Sequence, residues 1–418
     1  MSAMPTTGQI RRLTQQEADL ICAKHDRLWA AKPGGARAVF SWMDLTGLDF
    51  RGRMLNDADF TGAILDNAKF AKARLDHAIF FGADVQNADF ADASMRRADL
   101  RGACMRNCDL SGADLFEADL REGIIATADR KRGLRVMEPT KRAGQAQGAN
   151  LTGANLERSK LAGVVAIRAD FTDAILKDAN LVRANLKSAT FFGANLAGAD
   201  MTGADLGGAD LRDAIMVGTK TYAANMGDAR MEGALTDKLA GKDVGEMPYE
   251  AMIHDHAEWC ETAGLKGKPS AFDEADLRAL STLKGLNLTA LSAKQAVFYG
   301  LNMEGVQLQG AHLEGADLRN CNLRRADLRG ARLVGAKLSG SDLREAQMGP
   351  LLLGPDRLLP CDMTHAVCKG SDFTGADLRH AVLVSADLTR ANFSGALMKH
   401  ADLTGAHKES VRGLEPVE

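Results

Sequence analysis

The sequence predicts an all-β solenoid, a chain wound into a four-sided coil, with a short helix ahead of each of two coiled units. Three observations carry the prediction. From Leu45 to Leu120 every fifth residue is Leu, Phe, Met or Val. Ala stands two residues before most of them, as at Ala58, Ala63, Ala68 and Ala73. Phe recurs at twenty-residue steps, at Phe50, Phe70 and Phe90 and again at Phe60 and Phe80.

A period of five suits neither regular element. On an α-helix, at about 100° per residue, a five-residue step drifts by about 140°, and the apolar stripe would smear around the cylinder. On a straight strand side chains alternate. Ala and the Leu two residues later would share a face, but the next Leu, five on, would point the other way. Both facts fit if the chain turns a corner once per unit. Each unit is then a very short strand and a turn, with Ala and Leu inward and Gly or a small polar residue at the corner. The Asp or Asn between them points outward, where it solvates the wall or bonds to corner backbone. Four units per turn place the phenylalanines in two columns on opposite sides. Three per turn would mix Phe and Leu in every column.

Composition agrees. Aromatic residues make up only 5% and glycines number 42, so the core must be built from Leu and Ala. The net charge of −3 gives no basic excess for nucleic acid and no acidic excess for a DNA mimic. The seven cysteines are odd in number and scattered, which points to a reducing cytoplasm rather than a disulfide framework. Residues 1–8 are polar and read as no signal peptide, and no apolar run is long enough to cross a membrane.

The tandem unit Ala-Asp/Asn-Leu-x-x, carried through most of the chain, resembles that of the pentapeptide-repeat family. The resemblance implies a right-handed quadrilateral β-helix and a bacterial source. Members of that family serve many purposes. Its quinolone-resistance members regulate DNA gyrase by imitating DNA with an acidic surface, and dimerise through a C-terminal helix. This chain departs from them in its nearly balanced charge and in its short polar tail, residues 407–418.

The organisation follows from the repeat. Thr14 reads as a helix N-cap with Glu17 three residues later. Leu20, Ile21, Leu28 and Trp29 would form the apolar face, and Pro33-Gly34-Gly35 would end the helix. A first array spans about 43–122. The basic segment 123–148 breaks it, and is expected to be an extruded loop or hairpin, solvated or docking an anion. A second array, 149–235, resumes one residue out of phase. Then comes a second helix with Met252, Ile253, Trp259 and Cys260, and a third array at about 287–404. His256 and Trp259 echo His25 and Trp29, which suggests a duplicated module of cap and coil: residues 1–236 and 237–418. Within the third array Pro350, Pro355 and Pro360 stand five apart, and Met348, Leu353, Leu358 and Met363 keep phase. Residues 349–360 are therefore expected to be degenerate coil units with Pro at the corners, the alternative being a loop whose length is a multiple of five.

Candidate chemistry is sparse. Outward carboxylates recur everywhere, so no pair marks a general acid and base. Cys108, Cys321, Cys361 and Cys368 take inward positions, and Cys104 an outward one. His254, His256 and Cys260 share one helix, but a packing role at the cap is expected rather than a metal. No cofactor and no small-molecule substrate is expected. Two features suit a partner surface. Arg319, Arg324 and Arg329 lie on neighbouring faces, with Arg344 stacked over Arg324. His380 and His400 occupy the same corner on successive coils, about 4.8 Å apart. The expected function is a non-enzymatic scaffold that binds an unidentified protein through rigid walls. Gyrase modulation is the alternative, self-association stays open, and direct binding of nucleic acid or membrane is not expected.

Overall fold

Each turn of the coil takes twenty residues. Asp44 bridges Ile64 in parallel, Ile64 bridges Asp84, and the same step repeats on all four sides. The structure, a computed structural model, describes residues 10–125, 140–239, 247–354 and 357–414. The chain divides into two units, Met1–Lys238 and Leu239–Glu418, each with its own core.

One unit of five residues shows why the coil forms. Leu55 points inward and is fully buried, as is Ala58. The Ala58 N–H donates to the Leu55 carbonyl at 3.1 Å and closes a turn. Asp57, the second central residue of that turn, has φ 59°, the left-handed value a type II turn requires there. Gly takes this position in many units, as at Gly62, and elsewhere Asn, Asp, Arg or His takes it. Between turns the backbone pairs with the coils above and below: Leu55 N–H donates to Arg74 O at 2.7 Å, and Asp59 N–H to Ala38 O at 3.0 Å. Among the described residues the coil's sides pair from one turn to the next rather than standing as bare edges.

The two Phe columns stand as the spacing requires. Phe40, Phe60 and Phe80 stack in one, and Phe50, Phe70 and Phe90 in the other, with centroids 4.8–5.1 Å apart. The columns meet edge to face, as between Phe70 and Phe80 at 6.1 Å, a favourable quadrupole geometry.

The helix α1 (Gln15–Trp29) closes the start of the first coil, with the Thr14–Glu17 capping box in place. Its inward face is Ala18, Cys22 and His25, with Ile21 packed beside them. Leu20, Leu28 and Trp29 are exposed, which corrects the expected apolar face. Spacing of 18, 22 and 25 is itself a helical stripe, but its members are small or polar.

The basic segment begins as a hairpin. Strand β1 (Gly123–Ile125) pairs antiparallel with β2 (Thr140–Arg142), and residues 126–139 lie outside the described residues. Cys104 bridges Gln145, a step of 41 instead of 20. The insertion of 21 residues explains the phase slip, and the coil resumes at Gln145 rather than at 149.

The second cap is α2 (Tyr249–Glu261). Coil pairing starts earlier than the expected 287, at Ala271 with Ser292 and Asp276 with Val297. These first pairs step by 21, so one extra residue hides the coil from a five-residue reading. Pairing runs on to Asn392 with Arg412, past 404.

The proline-rich segment also differs from expectation. The described residues of 349–360 are not coil; Pro355 lies outside the described residues. Strand β3 (Leu351–Gly354) pairs antiparallel with β4 (Arg357–Leu359) as an extruded hairpin. Arg332 bridges Asp362, a step of 30. The insertion is ten residues, two whole units, so the phase survives although the coil is interrupted.

Candidate interaction surface

The outward Asp or Asn of each unit bonds to its own corner. Asp59 Oδ1 accepts from Thr61 N–H at 2.9 Å, Asp109 from Ser111 at 3.0 Å, and Asn155 from Glu157 at 3.1 Å. This is the backbone role expected of these residues, and it consumes one oxygen of each carboxylate.

Where the unit reads Asp-Leu-Arg, the second carboxylate oxygen is consumed too. Arg329 Nε and Nη2 lie 2.9 and 2.6 Å from the Asp327 carboxylate. The same two-pronged clasp joins Asp99 to Arg101, Asp210 to Arg212 and Asp377 to Arg379. Its hydrogen bond from Arg51 holds the Asp49 carboxyl down at about 2. Arg344 likewise lowers Asp342.

These clasps decide the fate of the expected arginine stripe. Arg319 is only 5% exposed and is bound to Asp317 at 2.9 and 2.6 Å. It is a buried structural residue, which corrects its place on a docking surface. Arg329 and Arg344 are clasped in the same way, at half-buried and exposed positions. Arg324 has Asn322 two residues before it instead of Asp. It reaches the next coil and, together with Arg325, binds Glu345 at 2.8 and 2.7 Å. The paired tandem Asp-Leu-Arg was the sequence signal for this; period and net charge alone did not carry it.

The imidazole pair stands as placed. His380 and His400 are exposed, with ring centroids 4.8 Å apart. The corner column they occupy also carries the β3–β4 hairpin one coil before His380, and Arg329 and Gly330 one coil before that.

The capping histidines do more than pack. His25 Nδ1 accepts from Ala38 N–H at 3.1 Å and His256 Nδ1 from Ser270 N–H at 3.1 Å. The opposite nitrogens meet carbonyls of the following coil, at Asn56 and at Thr289. Each ring therefore staples its helix to the coil through Nδ1, and burial lowers both pKa values; at His25 the Trp29 indole N–H also donates to Nε2 at 3.2 Å. Trp29 and Trp259 lean on the respective rings. The Cys260 thiol is turned to the same Thr289 carbonyl at 3.5 Å. Among the described residues no group of three His, Cys, Asp or Glu could hold a metal.

Cys108, Cys321, Cys361 and Cys368 are buried, and desolvation raises the pKa of each. Cys104 leaves the wall at an outward position, as expected, outside the apolar core, but it is covered rather than exposed. Its thiol lies 3.7 Å from Gln145 Oε1, where the chain re-enters the coil. The grooves on the first unit are lined by charge, one by Arg97, Glu117, Arg158 and Lys160 and another by Asp19, Asp49 and Arg53. Glu117 is shared between Arg97 and Arg158. No helix among the described residues is long and apolar enough to cross a membrane.

A family model described as pentapeptide repeats matches eight copies, over residues 43–82, 78–122, 149–187, 179–218, 307–348 and 361–399. Among solved structures, the pentapeptide repeat protein Rfr23 from the cyanobacterium Cyanothece 51142 is 28% identical. That match covers 32% of this chain and 86% of Rfr23, with a TM-score of 0.23. HetL, a pentapeptide repeat protein involved in heterocyst differentiation regulation from the cyanobacterium Nostoc sp. strain PCC 7120, is 22% identical. It covers 94% of this chain and 97% of its own, at a TM-score of 0.16. QnrB1, a plasmid-mediated fluoroquinolone resistance protein, is 18% identical over 47% of this chain and 94% of its own, at a TM-score of 0.29. No curated protein matches the chain.

Proposed function

Because this chain belongs to the pentapeptide repeat family, whose fold is the right-handed quadrilateral β-helix, we propose that it is a non-enzymatic scaffold that binds another protein through its walls. The observation that carries this reading is the fixed wall itself. Each outward side chain sits at a set height on a twenty-residue coil, and the Asp–backbone and Asp–Arg bonds hold many of them in one orientation. Such a surface loses little side-chain entropy on binding. Catalysis would call for a cleft of converging groups with shifted pKa values. The strongly shifted groups are instead buried thiols and clasped pairs. All seven cysteines are unpaired, as a reducing cytoplasm would keep them.

Gyrase modulation by DNA mimicry has less support. A mimic needs carboxylates facing solvent in rows, whereas here many are neutralised by the arginine two residues on. The test is affinity capture with the full chain, read by mass spectrometry, followed by binding of the purified candidate to the His380→Glu/His400→Glu variant. The reading predicts a saturable partner and weaker binding by that variant. Inhibition of gyrase supercoiling by the wild-type chain would favour the alternative, and turnover of a small molecule would overturn both.

A further inference from the structure

Among the described residues His380 and His400 are the one pair of imidazoles in contact, with ring centroids 4.8 Å apart. The backbone fixes that spacing. The two stand at the same corner of successive coils, at φ 57° and 62°, and the His380 N–H donates to the Lys399 carbonyl at 3.0 Å. Both side chains therefore leave the wall from the same backbone geometry, one coil apart.

The rings themselves are not tied down. Both residues are exposed, and among the described residues no hydrogen bond or ion pair engages either ring. His25 and His256, by contrast, spend Nδ1 on a backbone N–H, and His312 faces Glu314. On the same two coils the Phe373 and Phe393 rings, locked in the core, lie 4.7 Å apart and parallel within 4°. The histidine rings have nearly the same spacing but are inclined by 36°. Each can turn about its side-chain bonds while its corner stays in place.

The spacing is that of a chelate. A neutral imidazole binds a late first-row metal through one nitrogen at about 2.0 Å, and the ring centroid lies about 1.1 Å behind that nitrogen. Two imidazoles on one ion, at an angle of about 90–110°, then have centroids about 4.4–5.1 Å apart. The observed 4.8 Å falls within that interval. We propose that His380 and His400 together bind one divalent late transition-metal ion, of the copper, nickel or zinc class, with its remaining positions open to water. No third His, Cys, Asp or Glu among the described residues joins them, so the ion is exchangeable, unlike one closed in by four protein ligands. Calcium and magnesium demand several oxygen ligands. Here Asp377 is clasped by Arg379 at 2.9 and 2.7 Å. Lys399, exposed beside His400, repels any cation that gains no imidazole bond.

Isothermal titration of the full chain with zinc chloride tests this, with calcium chloride as the hard-ion control. Zinc is expected to bind at the pair and calcium is not. Asn tolerates a left-handed corner, so His380→Asn and His400→Asn are expected to keep the melting temperature. Once one nitrogen has bound, the second binds at a high effective concentration. Either single variant should therefore weaken zinc about tenfold or more, and the double variant should do little worse. If an Asn variant loses its fold, His380→Gly/His400→Gly takes its place and must lose the zinc too. Zinc binding that is unchanged in the double variant overturns the proposal. So do single variants that each keep the wild-type affinity, since the rings then act independently. A wild-type chain that takes up no zinc at about 1 mM overturns it as well, and calcium bound through the same two histidines overturns the assigned class of ion.

Discussion

At the scale of the residue, the same Asp–Arg clasp serves two different energetic situations. The Asp317–Arg319 pair is buried, with side chains 12% and 6% exposed. Removing one partner strands the other charge out of water, which costs about 3 kcal/mol or more. Arg319→Ala should therefore lower the unfolding midpoint in urea clearly. Arg344, in the same motif, is exposed, and Arg344→Ala should leave that midpoint almost unchanged. Equal losses in the two variants would contradict the burial of the first pair. The capping histidines make a prediction of opposite character. Burial holds the folded pKa of His25 and His256 below the 6.5 of the free ring. Folding thus favours the neutral form. The stability it brings is complete above pH 6.5 and is lost as the pH falls below that value towards the lowered folded pKa. Asp26, Asp57 and Arg37 face His25. The melting temperature should fall over that interval. His25→Asn/His256→Asn, which keeps an acceptor but does not titrate, should flatten the slope.

At the scale of the element, corners and insertions set what the repeat tolerates. Gly330 and Gly335 have nearly equal left-handed φ values, 67° and 66°. A Cβ at Gly335 would meet nothing within 4 Å, whereas at Gly330 it would collide with the hairpin base. Gly335→Ala should cost about 1 kcal/mol of backbone strain and no more. Gly330→Ala should cost more and also release the hairpin, seen as faster proteolytic cleavage near Leu352 and Leu353. If the two variants behave alike, the hairpin does not rest on that corner. These elements also mark the limit of sequence reading. Inward Ala and Leu, the Phe columns and the Thr14 cap were legible because each follows from a period or a local motif. The β3–β4 hairpin was only the less favoured of two readings, since an insertion of ten residues leaves every later Leu in phase. In the second unit Phe272 and Ala275-Asp276-Leu277 read as a first repeat, but one extra residue puts them out of phase with the array that follows, so the array was started too late. Arg319 was misplaced because the period fixes which way a side chain leaves the wall but not what covers it afterwards.

At the scale of the whole molecule, the repeat makes stability a matter of neighbouring coils rather than of one shared core. Leu181 is fully buried, and its N–H bonds to Asp200 one coil on. A carboxylate at that position has no partner in a core of Leu, Phe and Ala, which costs about 4 kcal/mol or more. In a solenoid that cost falls first on the damaged coil and those it touches. The two units keep separate cores, so the damage should stop at the first. Hydrogen exchange of Leu181→Asp should show lost protection spreading from residues 161–200 within the first unit, while amides such as Leu328 and Phe373 exchange at wild-type rates. Uniform loss across both units would mean that the chain folds as one cooperative body. The scaffold reading would then need a partner surface that depends on both units at once, rather than a wall that either unit can present.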